Sequence, residues 1–168
     1  KVAERLKNLG IHIHLNAKVE GANADQLTLA DTTYKTKTII WTAGVAPNPF
    51  YQANAAQFTF NEKKRLVVDD FLSIGDNIFV IGDNAPTQYT GLAQTAIRDG
   101  IFVADTIKRQ LGGKQMKKYQ AKEPIYATPA GHGWAAIQGG SKRDYGSIGW
   151  WIRRAGDLVG YRDLLPEL

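Results

Sequence analysis

The residues best placed to do chemistry lie in NIFVIGDNA, Asn77 to Ala85, where an apolar run ends abruptly in Gly82-Asp83 and a helical pattern follows. That order puts the Asp83 carboxylate at the C-terminal edge of a sheet, where open α/β folds bind ligands and a carboxylate can accept hydrogen bonds from ligand hydroxyls. Taken alone, a Gly-Asp pair is more often simply a strand-ending turn. Two other segments add to it. Upstream, IIWTAGVAPNP ends an apolar run in Thr42-Ala43-Gly44. Downstream, GLAQTAIRDGIFVADTIKRQL reads as a helix whose first turn, Gly91-Leu92-Ala93-Gln94, is small and uncharged. Such a turn leaves its amide groups to a ligand, and a helix N-terminus carries about half a positive charge.

Other reactive types are few. The chain has no cysteine, hence no disulfide, thiolate cluster or cysteine nucleophile. His12 and His14 share a face of a period-two pattern, but no carboxylate or third histidine is near them in sequence. They read as surface or edge residues, and no metal site is expected. His132, between glycines in PAGHGWAAI, reads as structural. Near the C-terminus, Trp150-Trp151-Ile152 beside Arg153-Arg154 has the composition of an interfacial segment, with rings for the headgroup level and cations for anionic lipid. The alternative is two tryptophans packed on a sheet beside solvated arginines. No catalytic side chain is assigned.

The elements that must position these groups belong to a chain of 168 residues, enough for one domain or somewhat more. Its 43% hydrophobic and 22% charged residues are those of a globular protein and exclude collagen, coiled coil and wholesale disorder. KVAERLKNLG reads as the end of an amphipathic helix closed by Gly10, without the h-region of a signal peptide. Ile11 to Glu20 alternates as a half-buried strand, Gln26–Ala30 and Thr33–Thr38 as a hairpin around Asp31, and Thr38–Trp41 as a buried run. Strands are expected at Arg65–Val68 and Asn77–Ile81, a long helix over Gly91–Leu111, and a linker over Gly112–Pro124. Ile125–Gln138 is strand-like, Gly139 and Gly140 turn with Ser141, and Ser147–Arg154 is a short aromatic-basic segment. This order predicts an α/β fold, or α+β for a part of one. The longest uncharged stretch, residues 38–61, is broken by Thr, Asn, Gln, Gly and two prolines, and falls short of the roughly 20 apolar residues of a spanning helix. The net charge of +5 divides into −1 over residues 1–107 and +6 over 108–168, which points to an anionic partner or a solvated face.

In combination the motifs are specific: TxGxxPN at Thr42, Gly44, Pro47 and Asn48; NEKxxxxVDxxL from Asn61 to Leu72; IFVIGD at 78–83; and AQxA at Ala93 to Ala96. Over the whole chain they resemble the C-terminal half of the FAD-dependent pyridine nucleotide-disulfide oxidoreductases, and within them the type II NADH:quinone oxidoreductases. The resemblance implies three parts. Residues 1–36 are the tail of an inserted NAD-binding domain, 37–112 the returning half of an FAD-binding domain, and 113–168 a small α+β C-terminal domain. It implies that Asp83 hydrogen-bonds the ribityl chain of FAD beside Gly82, that Ala93 and Gln94 lie against the flavin ring, and that Thr42 and Gly44 give close backbone approach. Gln94 and Arg98 become quinone-site candidates, although the family pattern AQxAxQ has glutamine where this chain has Arg98. Trp150, Trp151, Arg153 and Arg154 become candidates for contact with the cytoplasmic face of a membrane.

The implied reaction is hydride transfer from NADH to FAD and electron delivery to a quinone. Both glycine-rich phosphate loops of the family are missing, so the chain is expected to be part of a longer enzyme. Alone it should hold FAD weakly or not at all, be inactive, and dimerise. The HPT…EE motif of thiol-disulfide reductases is absent, which favours the dehydrogenase branch; Arg98 keeps a sulfide:quinone or ferredoxin-reductase-like branch open. A basic module binding membrane or nucleic acid without catalysis is the alternative from a different class, and the resemblance assigns no nucleic-acid partner.

Overall fold

A computed structural model describes residues 1–30, 32–75 and 77–162, with side chains as far as 158. In chain order the elements are helix α1 (Val2–Asn8), strands β1 (Val19–Ala22), β2 (Gln26–Leu29) and β3 (Thr32–Lys35), helix α2 (Pro49–Ala53), strands β4 (Ser73–Gly75) and β5 (Ile78–Phe79), helix α3 (Ala93–Leu111), strands β6 (Tyr126–Pro129), β7 (Ala135–Gly139) and β8 (Lys142–Gly146), and helix α4 (Ser147–Arg162). The fold is α/β, as the element order predicts, and the described strands pair antiparallel as β1-β2-β3, β4-β5 and β6-β7-β8. The chain divides into two compact units, one of residues 1–42 with everything from Ile125 onward, the other Ala43–Pro124.

In the first unit, α1 ends in a Schellman turn: Ile11 N–H donates to Leu6 O and Gly10 N–H to Lys7 O, with Gly10 at φ +78. The strand expected over Ile11–Glu20 forms only from Val19. Asn16, at φ +57, turns the backbone out of the extended path, and among the described residues no strand pairs with residues 11–18. The hairpin of β2 and β3 is as expected, with Leu27 opposite Tyr34; its centre, Asp31, lies outside the described residues. Thr38–Trp41, expected as a buried run, is neither strand nor buried, Ile40 being 81% exposed. An apolar run is buried only where another layer covers it, and no described strand pairs with this one.

The strand-like stretch from Ile125 is two strands. Gly131 and Gly133, at φ +80 and +70, carry the connection between β6 and β7, and Ala130 N–H donates to Trp134 O across it. Gly140 makes the two-residue turn into β8, as the glycine pair predicted. The aromatic-basic segment is longer than expected, a full helix α4 packed on this sheet.

In the second unit, Leu66, Val80 and Ala85 form a buried core against Tyr51, Phe58, Phe60, Val68 and Ile74. Two expected strands are shorter than their patterns. Arg65–Val68 contributes only the Phe60–Leu66 bridge, and Asn77–Ile81 only β5, whose Ile78 faces solvent. Helix α3 begins at Ala93, two residues after the expected start, because Gly91 at φ +93 and extended Leu92 precede it.

The segment read as a linker is the largest departure. Although it has no regular structure, residues 115–124 are held down on their own unit. Tyr119 N–H donates to Asp70 O at 2.7 Å, Lys118 Nζ pairs with Asp70 Oδ2 at 2.6 Å, and Arg98 Nη1 donates to Lys122 O and Glu123 O at 2.9 and 3.2 Å. The Tyr119 ring meets Phe102 edge-on at 5.1 Å, and Pro124 is fully buried. Glycine and charge marked this segment as solvated, but Tyr119, on Phe102 and Asp99, and the carbonyls bound by Arg98 seat it as a strap over α3.

Candidate functional site

The Asp83 turn is built from the end of β5. Val80 is buried in the core, and the chain then enters a 3₁₀ turn, Gly82–Asn84, in which Gly82 takes φ +61. Only glycine suits this position. The conformation disfavours any side chain, and a Cβ there would sit 3.2 Å from Ala96 Cβ on the first turns of α3. Turn and helix start are thereby in contact.

Four hydrogen bonds fix the turn through its backbone. Thr90 Oγ1 donates to Gly82 O at 2.9 Å, Arg65 Nε to Asp83 O at 3.0 Å, Leu66 N–H to Asn84 O at 3.0 Å, and Gly82 N–H to Asp99 Oδ2 at 3.1 Å. None of them uses the Asp83 carboxylate. That group is half-buried and, among the described residues, makes no hydrogen bond or ion pair.

Two further segments converge here. Asn48 N–H donates to Asn84 Oδ1 at 3.2 Å, and a Cβ on Gly91 would lie 3.9 Å from Val45 Cγ2, so the loop after Gly44 runs beside the approach to α3. Helix α3 has Leu92 at its N-cap, which offers no side-chain acceptor to the first amides. Of the sequence-predicted cofactor residues, the structure gathers Gly82, Asp83, Ala93 and Gln94 with the loop following Gly44 in one unit. Thr42 is an exposed residue of the other unit.

Arg98 has a position that its sequence context did not suggest. Its guanidinium is engaged with the carbonyls of Lys122 and Glu123, so at least one of its donors ties the strap to α3.

Asp99 and Tyr119 were missed by the motif reading. Asp99 is 0% exposed, and both its carboxyl oxygens accept: Oδ2 from Gly82 N–H, Oδ1 from Tyr119 O–H at 2.6 Å. The available signal was periodicity. Position 99 falls on the same helix face as buried Thr95 and Thr106, where a charged residue requires partners. Burial first, and the hydrogen bond to Asp99 next, push the Tyr119 phenol up to about 12. Raised above its unfolded value, it contributes stability that is complete below about pH 10 and is lost as pH rises toward 12. Asp99→Asn removes the charge opposing phenolate formation. That variant is expected to bring the Tyr119 titration down toward the ordinary tyrosine value, measured as the phenolate absorbance difference between each protein and its Tyr119→Phe counterpart.

In the other unit, His14 and Tyr34 meet edge-on at 5.2 Å, and no group of three or more potential metal ligands occurs among the described residues. The tryptophan pair is divided. Trp150 is half-buried with its ring 5.5 Å from that of His132, whereas Trp151 is 70% exposed. Arg153 pairs with Asp157 at 3.1 Å, and Arg154 is exposed. Ile148, Trp151, Ile152 and Leu158 form one exposed apolar face of α4. No described helix is long and apolar enough to cross a membrane.

An α/β chain thus brings together a strand ending in a glycine turn, a carboxylate without a partner among the described residues, and a helix start without a side-chain cap. The chain belongs to the pyridine nucleotide-disulphide oxidoreductase family, whose model matches residues 1–100. It is 32% identical over 123 residues to the type II NADH:quinone oxidoreductase Ndh of Mycobacterium tuberculosis, covering 67% of this chain and 27% of that protein. It is similar in fold to an NAD-dependent persulfide reductase from A. fulgidus, with a TM-score of 0.64 and 15% identity over 81% of this chain and 26% of that one. A similar likeness holds to the water-forming NADH oxidase of Lactobacillus brevis, with a TM-score of 0.63 and 20% identity over 81% of this chain and 31% of that one. The chain thus spans about a quarter to a third of the lengths of these relatives.

Proposed function

We infer that this chain supplies the flavin-facing edge of an FAD-dependent NADH:quinone oxidoreductase. The observation that carries the reading is the Asp83 carboxylate. It is held in place through its backbone and left unpartnered beside the uncapped start of α3. Such a donor and acceptor set suits FAD. Asp83 would accept from ribityl hydroxyls, and the amides at Ala93 and Gln94 would face the electron-rich edge of the ring. When bound, the flavin supplies the chemistry, taking hydride from NADH and passing two electrons to a quinone. The chain's own contribution is orientation through the Gly82–Asn84 turn and a positive potential from the α3 N-terminus. Gln94 is the quinone-side candidate. Arg98 retains that role only for donors not used on the strap.

Identity to Ndh, named as an NADH:quinone oxidoreductase, supports quinone as the acceptor. The exposed apolar face of α4 around Trp151, with Arg154 beside it, is the candidate contact with a membrane surface, and the exposed Ile40–Trp41 run the candidate for self-association. Since the chain spans 27% of Ndh, turnover is assigned to the larger assembly.

Titrating the purified chain with FAD tests the reading. A weak, saturable change in flavin fluorescence without NADH oxidation is expected. A change of the same size and midpoint in the Asp83→Ala chain would overturn the flavin assignment, and a stoichiometric yellow protein that turns over NADH would overturn the need for further chain.

A further inference from the structure

We propose that Asp99 and Tyr119 are positioning residues for the cofactor turn, through which the strap over α3 sets the pose of Asp83. The proposal rests on the flavin reading of Asp83 and goes beyond it to two residues that lie outside the motifs.

A wholly buried carboxyl is a costly thing to place in a helix face, and an apolar residue of similar volume is often neutral or more stabilising. Asp99 therefore requires an account other than stability, and its two bonds provide one. The bond from Gly82 N–H fixes the residue immediately before Asp83 at φ +61. The bond from Tyr119 O–H, at 2.6 Å, fixes the carboxyl itself. Tyr119 is in turn seated by its own N–H on Asp70 O and by its ring on Phe102. A continuous path of contacts thus runs from the strap through the helix to the cofactor turn, within one compact unit.

The variants that test this are Tyr119→Phe, which keeps the ring contact and removes only the hydroxyl, and Asp99→Asn, which keeps the shape. Two readouts are needed. The first is amide hydrogen exchange of Gly82, which involves no flavin. Tyr119→Phe is expected to speed it about tenfold, the weight of one hydrogen bond to a charged group. Asp99→Leu should speed it further, and Asp99→Asn, whose amide oxygen can still accept, should restore part of the protection.

The second is a double-mutant cycle on FAD affinity, in the chain and by flavin fluorescence. Tyr119→Phe is expected to weaken FAD about tenfold in the native background and to have no effect in an Asp83→Ala background. An equal loss in both backgrounds would mark Tyr119 as merely structural and overturn the proposal, as would unchanged Gly82 exchange. If Asp83→Ala itself leaves FAD affinity unaltered, the flavin reading fails, while the exchange result still decides whether Asp99 and Tyr119 hold the turn.

Discussion

Gly149→Ala is expected to destabilise the unit that carries α4, while Gly156→Ala, the same change farther along the same helix, stabilises it. In a helix interior glycine costs about 0.8–1 kcal/mol relative to alanine, which favours the change at Gly156 in full and at Gly149, in the first turn of α4, by no more than that. The surroundings separate them. A Cβ on Gly149 would lie 2.5 Å from Ala135 O, 3.2 Å from its carbonyl carbon and 3.3 Å from Ile137 Cγ1. The first two are backbone atoms of β7, held by pairing to β6 on one side and β8 on the other, and cannot yield alone. Helix α4 must therefore lift from the sheet, at an overpacking cost of about 1–3 kcal/mol or more, which exceeds the propensity gain. A Cβ on Gly156 would meet no atom within 4 Å, so that position keeps the full gain. Urea unfolding read by tryptophan fluorescence measures both. A Gly149→Ala midpoint at or above that of the native chain would refute the close approach of α4 to β7.

The same helix shows how far the sequence could be read. Trp150-Trp151 with Arg153-Arg154 was legible as an aromatic-basic element, and two mutually exclusive placements were open. The helix takes one from each: adjacent residues differ by about 100° around the axis, so Trp150 turns inward beside His132 in the β6–β7 connection and Trp151 turns to solvent. Residue types alone do not state that rotation; Gly149, read as the point of close approach, would have fixed it. Elements whose signal is local were read well, among them the α1 stop at Gly10, the β2–β3 hairpin and the long helix α3.

Elements whose signal depends on a neighbour were not. Ile11–Lys18 and Thr38–Trp41 carry strand patterns but find no pairing strand among the described residues, and a strand is defined by its partner. The strap failed for the converse reason. Its lysines and glycines are typical of a solvated linker, and its attachment depends on Tyr119 and the Lys122 and Glu123 carbonyls meeting groups 20 or more residues away. The candidate site divides in the same way. Gly82 and Asp83 follow from an apolar run ending in a turn, which is local information. Asp99 was visible only as a charge on a buried face, and its partner Tyr119 lies 20 residues farther along the chain.

Asp83→Ala is expected to weaken FAD binding by about 10- to 100-fold, since each hydrogen bond to an ionised group contributes about 1.5–3 kcal/mol. The structure makes this a clean substitution. Every hydrogen bond that shapes the Gly82–Asn84 turn runs through its backbone or through Asn84, so removing the Asp83 carboxylate leaves them in place. Unfolding should accordingly move by no more than about 0.5 kcal/mol, the range of surface changes that break no contact. Asp83→Asn separates charge from shape. Its amide oxygen still accepts from a hydroxyl, but as a neutral acceptor of roughly half the strength, and its NH₂ presents a donor where the carboxylate had none. Its affinity should therefore fall between those of the native chain and the alanine variant. Flavin fluorescence titration at fixed ionic strength measures all three. If Asp83→Asn binds as tightly as the native chain while Asp83→Ala does not, the carboxylate acts by shape and neutral hydrogen bonding alone. If both bind as the native chain does, the flavin must be held elsewhere on the protein.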